Sequence, residues 1–214
     1  MKGYIFDLDG TLLDSMDVWE KIDIDFLQKR GIPVPADYIK TVLPMTFPQV
    51  ASYTKKRFAL SDSTLDMMAE WNAMALYAYG NTVKMKPGAK EYLLRLRKLG
   101  AKMAVATSLP TILYEAVLHN HGIYDWFDVC IATDAVGAGK TDPAIFIHVA
   151  EKLGLPPGDC VVFEDILPAV KSAKSIGMAV YGVYDKASAG DWPQICTLAD
   201  GVVEDFRKSG LPVC

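Results

Sequence analysis

The sequence has 214 residues, of which 51% are hydrophobic and 22% are charged, and its formal net charge is -4. This hydrophobic content can bury one good core and support a modest additional segment. The charge balance lacks the basic surface expected of a nucleic-acid-binding protein, and no apolar run is long enough to span a bilayer. We therefore expect a small-molecule partner, no nucleic acid and no membrane.

The N-terminal segment predicts a cytoplasmic protein. A carboxylate occurs as early as Asp7, so residues 1–6 leave no room for the apolar core of a signal peptide. The sequence also lacks an internal repeat and a low-complexity tract, which would indicate a repeat architecture or a disordered linker. We expect one main domain with an insertion.

Short apolar runs alternate with helical stretches over most of the chain, which is typical of a parallel sheet wrapped by helices. The apolar runs predict strands at residues 4–6, 103–106, 129–132, 161–163, 178–181 and 201–203. Between them, helices are predicted at about residues 88–99, 110–121, 142–153 and 167–176. The pattern predicts an α/β fold with a doubly wound, Rossmann-like parallel sheet.

Residues 14–83 interrupt this alternation, because they contain no convincing strand and their apolar residues recur at helical spacing. A first helix is marked by Val18, Ile22, Phe26 and Leu27. A last helix, predicted from near Ser61 to just before Gly80, carries Leu65, Met68, Trp71 and Met74. The segment Pro44–Pro48 predicts a rigid turn between helices. We expect a core domain of residues 1–13 and 84–214 and an inserted all-helical cap domain of residues 14–83.

Two pairs of acidic residues follow predicted strands. The first strand ends in Asp7-Leu8-Asp9-Gly10-Thr11, and the fourth ends in Glu164-Asp165. Ligands of open α/β sheets bind at the carboxyl ends of the strands, so we expect both pairs at one edge. Converging carboxylates repel each other unless a cation lies between them, and Mg²⁺ prefers oxygen ligands. A structural alternative, in which Glu164-Asp165 caps the next helix, does not account for Asp7 and Asp9.

Groups that suit an anion follow the second and third predicted strands. Thr107 and Ser108 end the second strand, where a hydroxyl group and backbone amides at the start of a helix form a natural anion site. Lys140 follows the third strand and can bring positive charge to the same edge. The carboxyl edge of the sheet is therefore predicted to hold anion-binding groups beside the acidic pairs.

Other nucleotide-binding and catalytic motifs do not fit the sequence. The run Gly139-Lys140-Thr141 resembles the end of a P-loop, but Asp134 occupies the position that must be glycine. Asp142 stands where a dinucleotide-binding loop has its third glycine. The histidines lack metal-ligand spacing, and the nucleophile motif Gly-x-Ser-x-Gly does not occur, so a Ser-His hydrolase has little support.

With these residues the sequence resembles the haloacid dehalogenase superfamily, in the branch of phosphatases and β-phosphoglucomutase-like proteins that have a helical cap. The four motifs of the family correspond to Asp7-x-Asp9-Gly10-Thr11, Thr107, Lys140 and Glu164-Asp165, in the family's order. Each follows a predicted strand, and together they span most of the chain. The sequence departs from many relatives after the last motif, where Ile166 and Ala169 replace a serine and a glycine.

The resemblance implies a Mg²⁺-dependent phosphatase that hydrolyses small phosphorylated metabolites, sugar phosphates among them, through an aspartyl phosphate. Asp7 would be the nucleophile, and Asp9 would act as general acid and then as general base. Mg²⁺ would lie between Asp7, the backbone carbonyl of Asp9 and Asp165. Glu164 would either bind the metal directly or hold a metal-bound water.

The same resemblance implies a phosphate site and a cap. Thr107, the Ser108 amide and Lys140 would bind the phosphoryl group and neutralise its charge, with Thr107 and Lys140 counted as catalytic. The cap would close over the site and select the leaving group, with Thr46 and Phe47 as substrate-facing residues.

Two alternatives stay open. A β-phosphoglucomutase-like sugar phosphomutase would use the same two aspartates, although the first motif ends in Gly10-Thr11, as is usual for the phosphatases, and mutases tend to have valine there. The chain could also be a catalytically silent binding module, but the intact residues of all four motifs argue against it.

Overall fold

The structure, a computed structural model, describes residues 2–42, 45 and 47–210, apart from the side chain of Lys40. It divides into two compact units. The core unit comprises Met1–Met16 and Val83–Cys214, and the helical unit comprises Asp17–Thr82. Within the described ranges, no helix combines the length and the apolar character needed to cross a membrane.

The strands of the core unit, numbered in chain order, are β1 Gly3–Phe6, β2 Leu13–Asp14, β3 Lys84–Met85, β4 Lys102–Thr107, β5 Val129–Ala132, β6 Cys160–Glu164, β7 Ala179–Val183 and β8 Gly201–Val203. The helices of both units are α1 Val18–Gln28, α2 Tyr38–Val42, α3 Phe47–Phe58, α4 Thr64–Asn81, α5 Ala89–Lys98, α6 Thr111–Asn120, α7 Ala144–Leu153, α8 Leu167–Ser175 and α9 Trp192–Leu198. The predicted strands and the predicted helices of the core all occur.

In the described chain, six strands form a parallel sheet in the order β5-β4-β1-β6-β7-β8. From β1 the chain builds outwards through β4 to β5, and then crosses to β6 and builds outwards in the other direction to β8. This is the predicted doubly wound, Rossmann-like order. The order in which strands are added changes direction between β1 and β6. In such sheets, ligands bind in the crevice at the carboxyl ends of the two strands that flank this change.

Both faces of the sheet are buried, which explains why its strands are continuous apolar runs. On one face, Phe6 of β1 stacks on Phe163 of β6, with 4.6 Å between ring centroids, and Phe163 meets the Tyr92 ring of α5 at 5.7 Å. On the other face, Ile5 belongs to a cluster with apolar residues of α7 and α8. The central strands β1 and β6 are therefore held by packing on both sides.

A small antiparallel ribbon was not predicted. Leu13 of β2 pairs with Met85 of β3, and Asp14 pairs with Lys84. The expectation of no strand from residue 14 onwards is thus wrong at Asp14. Two-residue strands show no alternation of polar and apolar residues, so the sequence pattern gives no sign of them.

The helical unit contains α1 to α4. The first helix is confirmed, since Val18, Ile22, Phe26 and Leu27 are all buried. Its Phe26 ring packs against Trp71 of α4, with 5.1 Å between centroids. These aromatic contacts join the first and last helices of the unit.

Three predictions for the helical unit are wrong in detail. The apolar stripe of α4 is Met67, Trp71, Ala75 and Tyr79, whereas Leu65 is 72% exposed. The helix begins later than predicted, because the Ser63 side chain caps it by accepting a hydrogen bond from the Asp66 amide at 3.1 Å. Of the predicted turn, Phe47 and Pro48 instead form the first turn of α3, where proline is well tolerated.

Candidate active site

Three carboxylates meet at the carboxyl ends of β1 and β6. Asp7 directly follows β1, and its amide donates to the Phe163 carbonyl at 3.1 Å. Glu164 is the last residue of β6, and Asp165 follows it. One oxygen of each side chain lies within 4.8 Å of the others. We call Asp7, Glu164 and Asp165 the acidic cluster, and all three are buried.

Lys140 bridges two members of this cluster. Its ammonium group pairs with Asp7 Oδ1 and with Glu164 Oε1, the latter at 2.5 Å, and the residue is 5% exposed. Burial by itself would lower the pKa of Lys140, but the charges of Asp7 and Glu164 outweigh burial and raise it. The lysine therefore stays charged. When all three carboxyl groups are ionised, these four side chains carry a formal charge of -2.

The two acids after β6 have different surroundings. Glu164 accepts hydrogen bonds from Lys140 and from the Asp165 amide, the latter at 3.2 Å. Asp165 Oδ1 accepts from the Thr11 hydroxyl at 3.2 Å, whereas its buried Oδ2 has no hydrogen-bond partner among the described residues. Burial, reinforced by the neighbouring carboxylates, raises the pKa of Asp165 to about 9. A buried oxygen without a partner is a costly arrangement unless a ligand completes it.

Gly10 makes room for the Asp165 carboxylate. Its φ is +75°, in the left-handed region, and a Cβ at this position would overlap Asp165 Oδ2 and lie 2.7 Å from Asp165 Cγ. Any other residue would be strained and would also displace the carboxylate. The turn after Asp9 is thus shaped around the Asp165 side chain.

These features fit a divalent cation. The acidic cluster offers hard oxygen ligands, its negative charge is not balanced by Lys140, and Asp165 Oδ2 needs a partner. Because both Glu164 oxygens already accept hydrogen bonds, Asp7 and Asp165 are better placed than Glu164 to bind a metal ion directly. The Asp9 side chain is not part of the cluster.

Asp9 has a neighbour that sequence reasoning did not identify. The Ser15 hydroxyl donates to Asp9 Oδ1 at 2.5 Å, and Ser15 is 1% exposed. Asp9 itself is half-buried. The spacing of six residues within a single loop gives no recognisable pattern, so only the fold reveals this contact.

The predicted anion-binding residues end at the same edge of the sheet. Thr107 is the last residue of β4, which pairs with β1, and it is fully buried. Its Oγ1 accepts a hydrogen bond from the Leu109 amide at 3.1 Å. Ser108 is exposed in the loop that leads to α6. The hydroxyl of Thr107 and the backbone of this loop thus lie beside the strand that carries Asp7.

The sequence profile of a family described as haloacid dehalogenase-like hydrolase matches residues 1–177. This chain belongs to the haloacid dehalogenase-like hydrolase family. The predicted family, and with it the predicted enzyme class, is confirmed.

Named members of this family resemble the chain over most of its length. A phosphorylated carbohydrates phosphatase of Thermotoga maritima is 28% identical over 191 residues, which cover 89% of this chain and 88% of the relative. Hexitol phosphatase A of Escherichia coli is 30% identical over 184 residues, covering 85% of this chain and 82% of the relative. A crystal structure of a candidate beta-phosphoglucomutase from Thermotoga maritima has a TM-score of 0.84 at 26% identity, covering 97% of this chain and 96% of that one.

For this member of the family, the structure separates the candidate residues into groups. Asp7, Lys140, Glu164 and Asp165 are in direct contact or share a ligand position. Thr107 ends β4 at the same edge, where Asp9 follows β1 and Ser108 follows β4. Thr46 lies outside the described residues. Phe47 lies in the helical unit, where its ring packs against Trp19 and Trp71 with centroids 5.8 and 5.6 Å apart.

The structure also rejects the simple capping role for Glu164-Asp165. The N-cap residue of α8 is Ile166, and no side chain caps this helix. Thr11 belongs to the first motif, but the motif alone does not indicate what its side chain contacts. In the structure its hydroxyl group donates to Asp165, which lies 154 positions further along the chain.

Proposed function

We propose that this protein is a Mg²⁺-dependent phosphatase that hydrolyses small phosphorylated metabolites through an aspartyl phosphate on Asp7. One observation carries the proposal. Lys140 links Asp7 to Glu164 within a buried acidic cluster whose Asp165 Oδ2 has no hydrogen-bond partner among the described residues. Phosphoryl transfer needs a nucleophile, positive charge beside the phosphoryl oxygens and oxygen ligands for a metal ion, and the cluster with Lys140 offers all three.

Each side chain has a role in this proposal. Asp7 attacks phosphorus while the bond from phosphorus to the ester oxygen breaks, and Asp9 gives its proton to that oxygen so that a neutral alcohol leaves. Asp9 then removes a proton from the water that attacks the phosphorus of the aspartyl phosphate, which releases inorganic phosphate and restores Asp7. Lys140 orients Asp7 and, with Thr107 and the Ser108 amide, neutralises the phosphoryl oxygens.

Asp7 and Asp165, together with the Asp9 carbonyl, would hold Mg²⁺, and Glu164 would support the site through Lys140. When bound, the metal ion would supply the positive charge that the acidic cluster lacks and would polarise the phosphoryl group. The fit rests on the chemistry of the donor set and on the formal charge of -2 at these side chains.

The two arginines of the helical unit favour hydrolysis over a mutase reaction, which must hold a second phosphate, because arginine is the side chain best suited to bind one. Arg30 is paired with Asp62 and Glu70, and Arg57 is paired with Asp37. These cations are already engaged within the unit. We accordingly propose that residues 14–83 act as a cap that selects monophosphorylated substrates, with Thr46 and Phe47 as candidate contacts. Phosphorylated metabolites are charged and stay inside cells, which fits a cytoplasmic enzyme.

The test is a screen of phosphorylated metabolites for release of inorganic phosphate, with EDTA, Mg²⁺ and Ca²⁺ as separate conditions. We expect EDTA to stop turnover, Mg²⁺ to restore it, and Ca²⁺ to restore it poorly because its looser coordination misplaces the nucleophile. Asp7→Asn should lower the rate by at least about a thousandfold. Asp134→Asn, which changes an exposed acid after β5, is the matched control and should keep full activity.

Two results would contradict the proposal. Full activity in metal-free buffer would remove the metal ion from the reaction. A hexose 1-phosphate that becomes the 6-phosphate, with little phosphate released and no oxygen from labelled water in that phosphate, would establish the mutase instead.

A further inference from the structure

A second buried ion pair lies at the carboxyl edge of the sheet, outside the acidic cluster. Lys86 follows β3, and its ammonium group pairs with Asp185 Oδ2 at 2.9 Å and donates to the Tyr184 carbonyl at 2.6 Å. The two charged side chains are only 12% and 8% exposed. Taking charged groups out of water is costly, and an apolar pair of similar size is often at least as stable. Stability alone therefore does not explain why charges occupy this position.

The chain around Asp185 is fixed to the sheet. The Tyr184 amide donates to the Val203 carbonyl at the end of β8, at 2.9 Å. The second oxygen of Asp185, Oδ1, accepts a hydrogen bond from the Ala187 amide at 2.8 Å. Asp185 follows β7, which pairs with β6 on one side and with β8 on the other. The ammonium group of Lys86 is thus held by a well-supported part of the core unit.

The backbone of Lys86 holds a loop that leaves β1. We call residues 8–13 the first-motif loop. The Lys86 amide donates to the Leu12 carbonyl of this loop at 2.9 Å, next to the pairing of β2 with β3. Within the loop, the amides of Thr11 and Leu12 both donate to the Leu8 carbonyl, at 3.1 and 2.9 Å. The loop is therefore compact, and Lys86 connects it to the end of β7.

The first-motif loop carries groups of the candidate metal site. The Thr11 hydroxyl donates to Asp165 Oδ1 at 3.2 Å, and the absence of a side chain at Gly10 leaves room for the same carboxylate. The Asp9 carbonyl, which is a proposed ligand of Mg²⁺, belongs to the same loop. A displacement of the loop would therefore move the Asp9 carbonyl and release the Asp165 carboxylate at the same time.

We propose that Lys86 and Asp185 are positioning residues for the divalent cation, because their ion pair fixes the first-motif loop and, through Thr11, the direction of the Asp165 carboxylate. The pair acts through the hydrogen bond from the Lys86 amide to the loop. This inference rests on the proposed function, in which Asp165 and the Asp9 carbonyl bind Mg²⁺. Residues that orient metal ligands from outside the ligand set commonly change metal affinity by about ten- to a hundredfold when they are replaced.

A purely structural role for the ion pair makes a different forecast. If the pair only stabilised the fold, its removal would lower the melting temperature equally in EDTA and in Mg²⁺. A positioning role adds a loss of Mg²⁺ affinity. A higher Mg²⁺ concentration is then needed for the same increase in melting temperature, since this increase depends on the ratio of free metal to its dissociation constant.

The experiment measures the melting temperature against Mg²⁺ concentration, and Mg²⁺ binding by titration calorimetry, without substrate. Lys86→Met removes the ammonium group and keeps the backbone amide. Lys86→Arg restores the charge, and a cavity of about 160 Å³ lined by Lys86, Val183 and Phe206 gives the larger guanidinium group room. The double variant of Lys86→Met and Asp185→Asn removes both charges, so it remains informative if the unpaired Asp185 of the single variant prevents folding.

Lys102→Met is the matched control. Lys102 is a half-buried lysine at the amino end of β4, and its ammonium group donates to the Leu153 carbonyl. Its replacement also removes a lysine contact of the core unit, but at the opposite edge of the sheet from the candidate metal site. Asp165→Asn marks the full loss of a metal ligand.

We expect Lys86→Met and the double variant to bind Mg²⁺ about tenfold more weakly than wild type, and Lys86→Arg to stay within about threefold of it. The double variant should recover stability in EDTA relative to Lys86→Met without recovering Mg²⁺ affinity. Lys102→Met should have a lower melting temperature and wild-type Mg²⁺ affinity.

Wild-type Mg²⁺ affinity in Lys86→Met and in the double variant would overturn the positioning role, and so would an equal loss of affinity in Lys102→Met. Binding by Lys86→Arg as weak as that by Lys86→Met would remove the charge from the explanation. If Asp165→Asn bound Mg²⁺ as tightly as wild type, the metal site of the proposed function would fall instead. That failure is distinguishable because it appears without any change at Lys86.

Discussion

The acidic cluster of the core unit and the ion pairs of the helical unit differ in how their buried and half-buried charges are balanced. In the helical unit, Arg30 lies between two carboxylates, Asp62 at 2.7 Å and Glu70 at 2.8 Å, and its guanidinium group stacks on the Phe26 ring. In the core unit, the acidic cluster has Lys140 as its cation and retains negative charge. Balanced pairs serve to join helices, whereas a buried charge without compensation marks a place prepared for a ligand.

Asp23 in the helical unit shares one property with Asp165 of the acidic cluster, a pKa that burial raises. Asp23 of α1 is half-buried, and burial raises its pKa to about 6, an effect that the hydrogen bond from Tyr38 partly opposes. Tyr38 also shares a hydrogen bond of 2.6 Å with Thr54. A substitution of Asp23 therefore tests whether a partly buried carboxylate destabilises the folded protein when it does not belong to a cluster of carboxylates.

The largest effect is expected for Lys140→Ala. Removing the ammonium group leaves Asp7 and Glu164 buried without their partner, so we expect loss of activity and a decrease of about 3–5 kcal/mol in the free energy of unfolding. Denaturant unfolding and phosphate release measure the two effects. Lys174→Ala is the matched control, since Lys174 pairs with Asp200 at the surface, and it should change stability by about 1 kcal/mol or less. Similar losses for both variants would erase the contrast between the buried acidic cluster and an ordinary surface ion pair.

A smaller effect of opposite sign is expected for Asp165→Asn. Because the pKa of Asp165 is raised to about 9 in the folded state, its carboxyl group favours folding at low pH and opposes it increasingly as the pH rises towards that value. In EDTA at neutral pH, the amide should therefore stabilise the protein by about 2 kcal/mol, although activity is lost. Mg²⁺ should raise the melting temperature of wild type and leave that of the variant unchanged. A variant less stable than wild type in EDTA would show that the cluster is not strained.

The smallest effect is expected for Asp23→Asn. The pKa of Asp23 in the folded state, about 6, lies above the ordinary value of an aspartate, so stability is lost as the pH rises through about 6. The variant should gain about 1 kcal/mol at neutral pH and nothing near pH 4, as thermal unfolding at both pH values will show. Asp25→Asn, an exposed acid on the same helix, should change stability by less than about 0.5 kcal/mol. Equal gains at both pH values would point to a cause other than ionisation.

Most of the fold and the elements of the site could be predicted because they follow from local patterns. Continuous apolar runs marked the strands, and the rule that ligands bind at strand ends placed Asp7 and Asp165 at one edge. The contacts that decide the chemistry could not be predicted. The bond from Thr11 to Asp165 and the bond from Ser15 to Asp9 join side chains through the path of the loop, which has no periodicity.

The helical unit was harder to predict for a different reason. Several apolar residues of α4 lie on neighbouring faces, so that Leu65 and Met67 are both reasonable core positions in the sequence. Packing against the other helices of the unit selects Met67 and leaves Leu65 in solvent. Helix propensity and the spacing of apolar residues do not show which of these two side chains the other helices will cover.

The glycine at position 10 has a practical consequence for anyone who needs an inactive but correctly folded form of this enzyme, for example to trap a substrate in a crystal. Its φ lies in the left-handed region, and the carboxylate of Asp165 occupies the place where a Cβ would be, with Asp165 Cγ 2.7 Å from that position. A substitution there would displace the Asp165 carboxylate together with the loop. Changing Asp7 to asparagine alters a single oxygen and preserves this corner, so it is the better choice for such a trap.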